Sequence, residues 1–312
     1  MKVMFWGVRG SLPTPLSPEK IKAKIEAVVQ RITVSDLESS DSRERFISSL
    51  PPWIYGTVGG NSACLELTTK SNASFILDAG SGIRLLGKKL ARDNVKKINI
   101  FISHFHWDHI QGLPFFDPAY QRDCEIHFYS ASSNIKDILL NQMKEPEFPV
   151  TMDAFTKNIT YHTIVPGERF IVEGVKVNCK KMSHPGDSYA FSFEEDDKKF
   201  IYATDVEIFT KDFEKDGDND SFFENADVLV IDSQYTAEEA VEKENWGHSA
   251  FCYAVDFASA WNIKKVLLFH HDPTYDDKKV YSILQSARWY ANYAVKKEIN
   301  LDIACEGLEI TV

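Results

Sequence analysis

The chain has 312 residues, of which 44% are hydrophobic and 26% charged, and its formal net charge is −11. This is the composition of an ordinary globular protein, and the absence of any run of about 18 apolar residues excludes a membrane-spanning helix. The acidic balance argues against a nucleic-acid polymer as partner, because such binding draws most of its affinity from basic contacts to phosphates.

The first residues, MKVMFWGVRG, indicate a strand leading into a turn. They lack the apolar segment and small-residue cleavage site of a secretory signal, so a cytoplasmic protein is expected. The cysteines are scattered singly with no CxxC pair, which favours reduced core thiols over a disulfide scaffold or a structural zinc knot. They are Cys64, Cys124, Cys179, Cys252 and Cys305.

Short apolar, β-branched runs along the chain predict strands. They occupy residues 2–6, 64–67, 74–78, 98–103, 125–130, 169–172, 175–179, 189–193, 199–204, 227–232 and 265–270. Helical patterns lie between some of them, at 82–92, 133–144, 237–243, 248–261 and 278–297. Because both faces of a sheet need cover, this alternation predicts a layered α/β sandwich. We expect a single domain over residues 1–312.

Segment 17–50 is polar and helix-prone, with Ser17 as a possible N-cap and Pro18 suited to the first helical turn. It is predicted to be a helical insertion between the first two strands, either a lid over a site or a surface decoration. A second polar stretch, 211–227, spaces Asp216, Asp218 and Asp220 like a calcium loop. Because Ser221 stands where the sharp turn of such a loop needs glycine, a solvated loop is expected there.

The stretch SHFHWDHIQG places four metal-binding side chains in one turn, directly after the buried strand INIFIS. A tight turn at a strand end can aim all of them into one pocket. Two metal ions about 3.5–4 Å apart need several nitrogen and oxygen ligands, with positions left open for water and substrate. The four side chains are His104, His106, Asp108 and His109.

Further ligand types follow later strands. His184 lies in a Pro-Gly turn after strand 175–179, Asp205 ends YATD, and His270 follows VLLF. An aspartate that ends an apolar strand is a poor core residue but a good bridging ligand, since each carboxylate oxygen can hold one metal. His127 and His162 have no motif around them and are expected to be structural. Phe105 and Trp107, inside the ligand turn, are expected to pack away from the metals.

The order HxHxDH, His, Asp, His, each at a strand end, resembles the metallo-β-lactamase superfamily. The resemblance covers most of the chain apart from 17–50 and implies a four-layer αββα sandwich with a dimetal site at one edge. It implies that one metal is held by His104, His106 and His184, the other by Asp108, His109 and His270, with Asp205 bridging them. The family pattern also favours His270 over the adjacent His271, and it implies that Asp78 in ILDAGSG either orients the ligand turn or is a plain turn residue.

Details of the sequence indicate which branch of the metallo-β-lactamase superfamily the chain resembles. Asp205 stands where β-lactamases proper use cysteine, which speaks against antibiotic hydrolysis. NWGHSAFCYAVDFA resembles the His-Ser-Thr loop and following helix of tRNase Z-like phosphodiesterases. GTVGGNSACLEL, LDAGSGIRLLG and FHHDP resemble a bacterial branch of that group often assigned to cyclic-nucleotide phosphodiesterases. Because Ala250 replaces the threonine and no basic arm for tRNA is apparent, tRNA processing is a weak candidate.

The predicted activity is hydrolysis of a small phosphodiester, with a cyclic nucleotide as the leading substrate. A water bridging two metals loses its proton near neutral pH and attacks the phosphoryl group that the metals clamp. Asp108 and His248 are the predicted catalytic residues. His248 either protonates the leaving oxygen, or bonds a phosphate oxygen, or merely caps the helix that follows it.

Alternatives remain at the level of sequence. Histidine and carboxylate ligands suit iron and manganese as well as zinc, and no thiol selects zinc here. Flavodiiron proteins share this fold, although they carry a glutamate where this chain has His106 and bring a flavin domain. A di-iron oxygen-binding or redox sensor acting through a signalling partner is therefore a second hypothesis, and a thioester or lactone hydrolase is a third. The family likeness also suggests a homodimer.

Overall fold

The structure, a computed structural model, describes residues 1–215 and 217–312, so Asp216 of the acidic loop lies outside the described residues. The strands are β1 Lys2–Gly7, β2 Cys64–Thr68, β3 Ser74–Leu77, β4 Lys97–Phe101, β5 Glu125–Ser130, β6 Ile159–Thr163, β7 Phe170–Val172, β8 Val175–Met182, β9 Ser188–Glu195, β10 Lys198–Ala203, β11 Val228–Asp232, β12 Lys265–Phe269, β13 Asn300–Ile303 and β14 Glu309–Thr311.

The α-helices are α1 Pro18–Val29, α2 Val34–Leu37, α3 Ser40–Ser49, α4 Pro52–Tyr55, α5 Ile83–Arg92, α6 Trp107–Ile110, α7 Ile135–Gln142, α8 Asp218–Phe223, α9 Ala237–Glu242, α10 Phe251–Ala260 and α11 Asp277–Tyr290. Short 3₁₀ turns lie at Leu113–Phe115, Asp117–Tyr120, Met152–Ala154 and Thr210–Phe213, and a π turn at Ala291–Val295 extends α11. None of the helices in the described part of the chain is long and apolar enough to cross a membrane.

The strands form two seven-stranded mixed sheets. The order is β14-β1-β2-β3-β4-β5-β6 in one and β13-β12-β11-β10-β9-β8-β7 in the other. Strands β3 to β6 run parallel, as do β10 to β13. Parallel strands end at the same edge of their sheet, so the loops that leave them meet there, as in other open α/β sheets whose ligands bind beyond the carboxyl ends.

Three apolar layers hold the sheets and helices together. The central one lies between the sheets and is rich in phenylalanine: the Phe101 ring is 5.5 Å from that of Phe191, and Phe5 is 6.4 Å from Phe269. A second layer lies under α10 and α11, and a third under α5 and α7. Helix, sheet, sheet and helix therefore stack as four layers, which confirms the predicted αββα sandwich.

The 17–50 segment lies between β1 and β2, and α1 to α3 bury none of their residues. Ser17 caps α1 by accepting from the Lys20 backbone. The Lys24 ammonium anchors α1 to the body, donating to Asp277 Oδ2 at 2.7 Å. The cavity beside His106 and Asp108 is lined by residues outside 17–50, so this segment does not form its wall.

Candidate metal centre

Ligand-type side chains converge where strands of both sheets end. The turn after β4 carries His104 to His109, the β8–β9 turn carries His184, and β10 and β12 lead directly into Asp205 and His270. Asp205 and His270 have φ of +46° and +62°, a left-handed backbone that few residues other than glycine adopt, although Asp and His do so more often than most. Such strain at strand ends typically accompanies function, because it turns a side chain out of the pleat and into a site.

One group contains three histidines and Asp205. His184 Nε2 lies 3.1 Å from His106 Nδ1, and His104 Nε2 lies 3.5 Å from Asp205 Oδ2. A third separation, from His184 Nε2 to Asp205 Oδ2, is 3.9 Å. His106 is exposed while the other three residues are largely buried, so the group faces solvent on the side of His106.

A second group shares Asp205. Its other oxygen, Oδ1, lies 3.1 Å from His109 Nε2 and 3.2 Å from His270 Nε2. Asp108 Oδ2 closes the group at 3.2 Å from each of the same two nitrogens. The structure therefore brings all seven predicted ligands together in the two groups that the resemblance implies, with Asp205 common to both.

The two groups fit divalent metal ions. Tetrahedral ligands about 2.0–2.1 Å from a metal stand about 3.3 Å apart, close to the separations seen here. Among the described residues, Nε2 of His104 and Nε2 of His109 are buried and lack a hydrogen-bond partner. An unpaired buried polar atom is costly, so these two nitrogens indicate a partner that protein atoms do not supply.

The charge states of three histidines and Asp205 suit metal binding, whereas the carboxylates of Asp205, Asp108 and Asp78 outweigh burial and raise the pKa of His109, so a metal ion would displace a proton there. Burial, reinforced by neighbouring histidines, holds the pKa of His104 well below its usual value and lowers the pKa of His106 and His184. These rings are therefore neutral near pH 7, the form that binds metals. Burial alone would raise the pKa of Asp205, but the surrounding histidines hold it well below its usual range, so this carboxylate is ionised.

Hydrogen bonds fix which ring nitrogen faces the groups. His109 Nδ1 donates to Asp78 Oδ2 at 2.7 Å, and His270 Nδ1 donates to Gln234 Oε1 at 2.8 Å. His184 Nδ1 donates to the Gly247 carbonyl, also at 2.8 Å. Each bond leaves Nε2 free to coordinate, which is the usual way outer contacts orient a metal ligand.

Of the two roles left open for Asp78, its contacts match the orienting one. Besides His109, it accepts from the Ser103 backbone at 2.7 Å and from the Tyr202 hydroxyl at 2.8 Å. It is fully buried and has φ of +60°. Asp78 thereby ties the start of the ligand turn to the neighbouring strand ends.

Three other histidines, His127, His162 and His271, lie outside the two groups. His271 is buried and its Nε2 bonds the Ala304 carbonyl at 2.9 Å, so of the adjacent pair it is His270 that faces the site. His127 and His162 lie on β5 and β6, where Nδ1 of the first is 3.0 Å from Nε2 of the second.

His248 stands beside the groups without belonging to the predicted ligand set. Its Nδ1 donates to Asp232 Oδ2 at 2.6 Å, and its ring stacks on that of His270 with centroids 5.0 Å apart. Burial disfavours the charged ring, but the Asp232 carboxylate outweighs it and raises the pKa of His248 to about 9. The structure gives Nε2 of this ring no hydrogen-bond partner among the residues it describes.

Two cavities meet at His248. A cavity of about 350 Å³ opens onto the groups and is lined by Ser11, Phe105, His106, Trp107, Asp108, Asp205, His248 and His270. A second, of about 540 Å³, is also lined by His248 and includes the aromatic rings of Phe209, Phe213 and Tyr253. Its polar lining includes the carboxylates Glu207, Glu244 and Asp256, and no lysine or arginine.

Asp232 and Gln234 were not identified from the sequence. Asp232 ends the apolar strand VLVID just as Asp205 follows KFIYA, so the same signal was present. It became informative only with the strand order, in which β11 lies between β10 and β12 and so between Asp205 and His270.

Comparison with known proteins agrees with this geometry. The family model described as the beta-lactamase superfamily domain matches residues 74–271, more than half of the chain. Ribonuclease Z of Oceanobacillus iheyensis is 24% identical over 287 residues, covering 74% of this chain and 92% of that protein.

Two solved structures share the fold. The metallo-beta-lactamase fold protein YhfI of Bacillus subtilis has a TM-score of 0.66 at 15% identity and covers 99% of this chain and 98% of its own. Human tRNase Z, short form, has a TM-score of 0.61 at 18% identity and covers 100% and 99%. By its family match and its fold, the chain belongs to the metallo-β-lactamase superfamily, and within that superfamily it is similar to ribonuclease Z and tRNase Z.

Proposed function

We propose that this protein is a dimetal hydrolase that cleaves phosphodiesters of small substrates, with a cyclic nucleotide as the leading candidate. The observation that carries the proposal is the position of His248: it lines the same cavity as Asp108, Asp205 and His270, with its ring held by Asp232. A phosphodiester needs help at two points, the attacked phosphorus and the departing oxygen, and this cavity offers groups for both.

The seven proposed ligands, His104, His106, Asp108, His109, His184, Asp205 and His270, would hold two divalent ions. Bound there, the ions would supply an acidified water and neutralise the phosphoryl oxygens. The rest of the chemistry falls to the protein. Ser11 N donates to Asp108 Oδ2 at 2.8 Å, which fixes the carboxylate at the cavity wall.

His248 is proposed to hold a proton for the leaving oxygen. Because its Nδ1 is engaged by Asp232, the nitrogen that remains for the substrate is Nε2. The side chain is only 10% exposed, so little water competes for that nitrogen. A group set in this way acts as a general acid or bonds a phosphoryl oxygen, and either role serves a phosphodiester.

Charge favours a small substrate over RNA. The second cavity that His248 lines has three carboxylates in its lining, Glu207, Glu244 and Asp256. The next phosphate of a polynucleotide would meet these negative charges, and the whole chain carries a net charge of −11. The curated relative is named ribonuclease Z, yet this chain has Ala250 in place of the threonine of the tRNase Z loop.

The test is steady-state hydrolysis by metal-depleted protein reloaded anaerobically with zinc, manganese or iron. Bis-nitrophenyl phosphate reports any phosphodiesterase activity, 3′,5′-cyclic nucleotides report the small-substrate class, and a tRNA precursor reports 3′ processing. We expect turnover of the first two with at least one metal. Faster cleavage of the tRNA would overturn the small-substrate proposal, and no turnover with two bound metals would overturn the hydrolase and favour a redox or oxygen-binding role.

A further inference from the structure

Trp107 occupies an unusual position between two proposed ligands, His106 and Asp108, at the first residue of α6. Its side chain is 82% exposed, more than any other tryptophan in the chain, and it lines the metal cavity. The expectation that this ring packs away from the metal site is therefore wrong. Phe105, by contrast, packs partly against the outer apolar layer while also lining the cavity.

Folding does not account for this ring. A tryptophan stabilises a core by burying its large apolar surface, and Trp107 buries less than a fifth of its own. An exposed indole on the wall of a reactive cavity is instead typical of a surface that binds something.

The backbone beneath the ring is well held. The Trp107 carbonyl accepts from the Gln111 amide at 2.7 Å, and the His106 carbonyl accepts from the His109 amide at 3.0 Å. Asp108 is in turn held by the Ser11 amide. Because the backbone on both sides of Trp107 is already fixed, it loses little conformational freedom when a ligand binds to the ring, which favours affinity.

The cavity combines two kinds of side chain. Its lining includes proposed metal ligands, Asp108, Asp205 and His270, together with two aromatic rings, Phe105 and Trp107. A ligand that matches both kinds has an anionic phosphoryl group for the first and a flat π-system for the second. A nucleotide has this form, since its base lies one sugar away from its phosphate.

We propose that Trp107 is a stacking platform for the nucleobase of the substrate while the phosphate lies at the proposed metal ligands. The inference rests on the proposed function and narrows its substrate from any small phosphodiester to one that carries a base. Because every base has a π-face, stacking distinguishes substrates with a base from those without one more than it distinguishes one base from another.

The experiment measures binding directly, by calorimetry of adenosine 5′-monophosphate and of inorganic phosphate to zinc-reloaded protein. Trp107→Ala should weaken nucleotide binding about 10-fold to 100-fold and leave phosphate binding unchanged. Trp107→Phe should restore most of the nucleotide affinity, because it keeps an aromatic face. The matched control is Trp289→Ala on α11, which removes a tryptophan that is 61% exposed outside the cavity and should change neither affinity.

The outcomes separate this inference from the proposed function. Unchanged nucleotide affinity in Trp107→Ala, with bis-nitrophenyl phosphate still hydrolysed, would overturn the platform and leave the hydrolase standing. Equal weakening of nucleotide and phosphate would also overturn it, because the ring would then act through the metal site. A Trp107-dependent nucleotide affinity in a protein that hydrolyses nothing would keep the base site and overturn the hydrolase.

Discussion

Two histidines at the site are each held by an aspartate through Nδ1, yet their proposed roles differ: one is a metal ligand and the other a proton donor. Asp78 holds His109 through Nδ1 at 2.7 Å, and Asp232 holds His248 through Nδ1 at 2.6 Å. In the first pair the ring is fully buried, so its Nε2 can meet only the neighbouring carboxylates. In the second the free nitrogen faces open cavity, where a substrate can reach it. The difference between these two rings is therefore what surrounds Nε2: in His109 it is 3.1–3.2 Å from two carboxylates, and in His248 it has no hydrogen-bond partner among the described residues.

His248→Ala tests that distinction at the residue scale. We expect both metals to remain bound, since the seven proposed ligands are untouched, while kcat falls about 10²-fold to 10⁴-fold, the range of general acid help. Metal content by elemental analysis and turnover of cyclic nucleotide should be measured on the same sample. The control is His162→Ala, a histidine of β6 away from the site. Full activity in His248→Ala would return this residue to a purely structural role.

How far the sequence could predict the site depends on the kind of contact involved. The seven ligands were identifiable because each stands at the end of an apolar run, where polar metal-binding residues are out of place in a core. Asp232 carries the same signal, but its role becomes visible only with the strand order that places β11 between β10 and β12; Gln234 follows it and acts through His270, in another segment of the chain. Trp107 was misjudged because the exposure of a ring follows from packing, which no local pattern records.

At the scale of elements, strands were predictable where burial imposed a pattern. The buried strands β3, β4, β10, β11 and β12 match the predicted runs to within two residues at either end. By contrast β6, β13 and β14 were missed. Ile159–Thr163 has no fully buried residue, and Asn300–Ile303 and Glu309–Thr311 are short and mix polar with apolar positions. The helix Asp218–Phe223 was also missed, within the segment expected to be a solvated loop.

Gly247, in the loop before α10, lies so close to His184 that a side chain there should displace this histidine. The glycine has φ of +87°, and a Cβ there would stand 2.2 Å from His184 Nδ1. In Gly247→Ala the free energy of unfolding should therefore fall by about 1–2 kcal/mol, because alanine is strained in the left-handed backbone. It should also push His184 out of the metal group and lower metal content and turnover.

Gly167→Ala is the matched control, because its φ is +85° and a Cβ there would meet nothing within 4 Å. Both variants should lose the same amount of unfolding free energy to the strained backbone, and denaturant unfolding measures that loss. Only Gly247→Ala should lose metal. Equal metal content in the two variants would show that the 245–247 loop does not position His184.

At the scale of the whole molecule, the metal centre joins the two sheets. His104, His106, Asp108 and His109 follow β4 of one sheet, whereas His184, Asp205 and His270 follow β8, β10 and β12 of the other. Metals bound between these groups would add to the few backbone contacts that join the two sheets here, such as the bond from Tyr189 N to the Ser103 carbonyl at 3.1 Å. Without a cation, the buried Nε2 atoms of His104 and His109 lack hydrogen-bond partners, which is a cost to the metal-free protein at this edge of the sandwich.

Metal removal should therefore lower the thermal stability of the whole fold. A ligand present at 1,000 times its Kd stabilises the native state by about 4 kcal/mol, which for a chain of this size corresponds to a Tm shift of about 5–15 °C. Calorimetry before and after chelation should show that drop, and added zinc should reverse it. Asp205→Ala removes the carboxylate shared by both groups and is expected to bind metal weakly and to lack turnover. Its Tm should therefore be low already and should not respond to the chelator. An unchanged Tm after chelation of the native protein, with elemental analysis showing that the metal has gone, would mean that the sandwich holds its edge together without the ions.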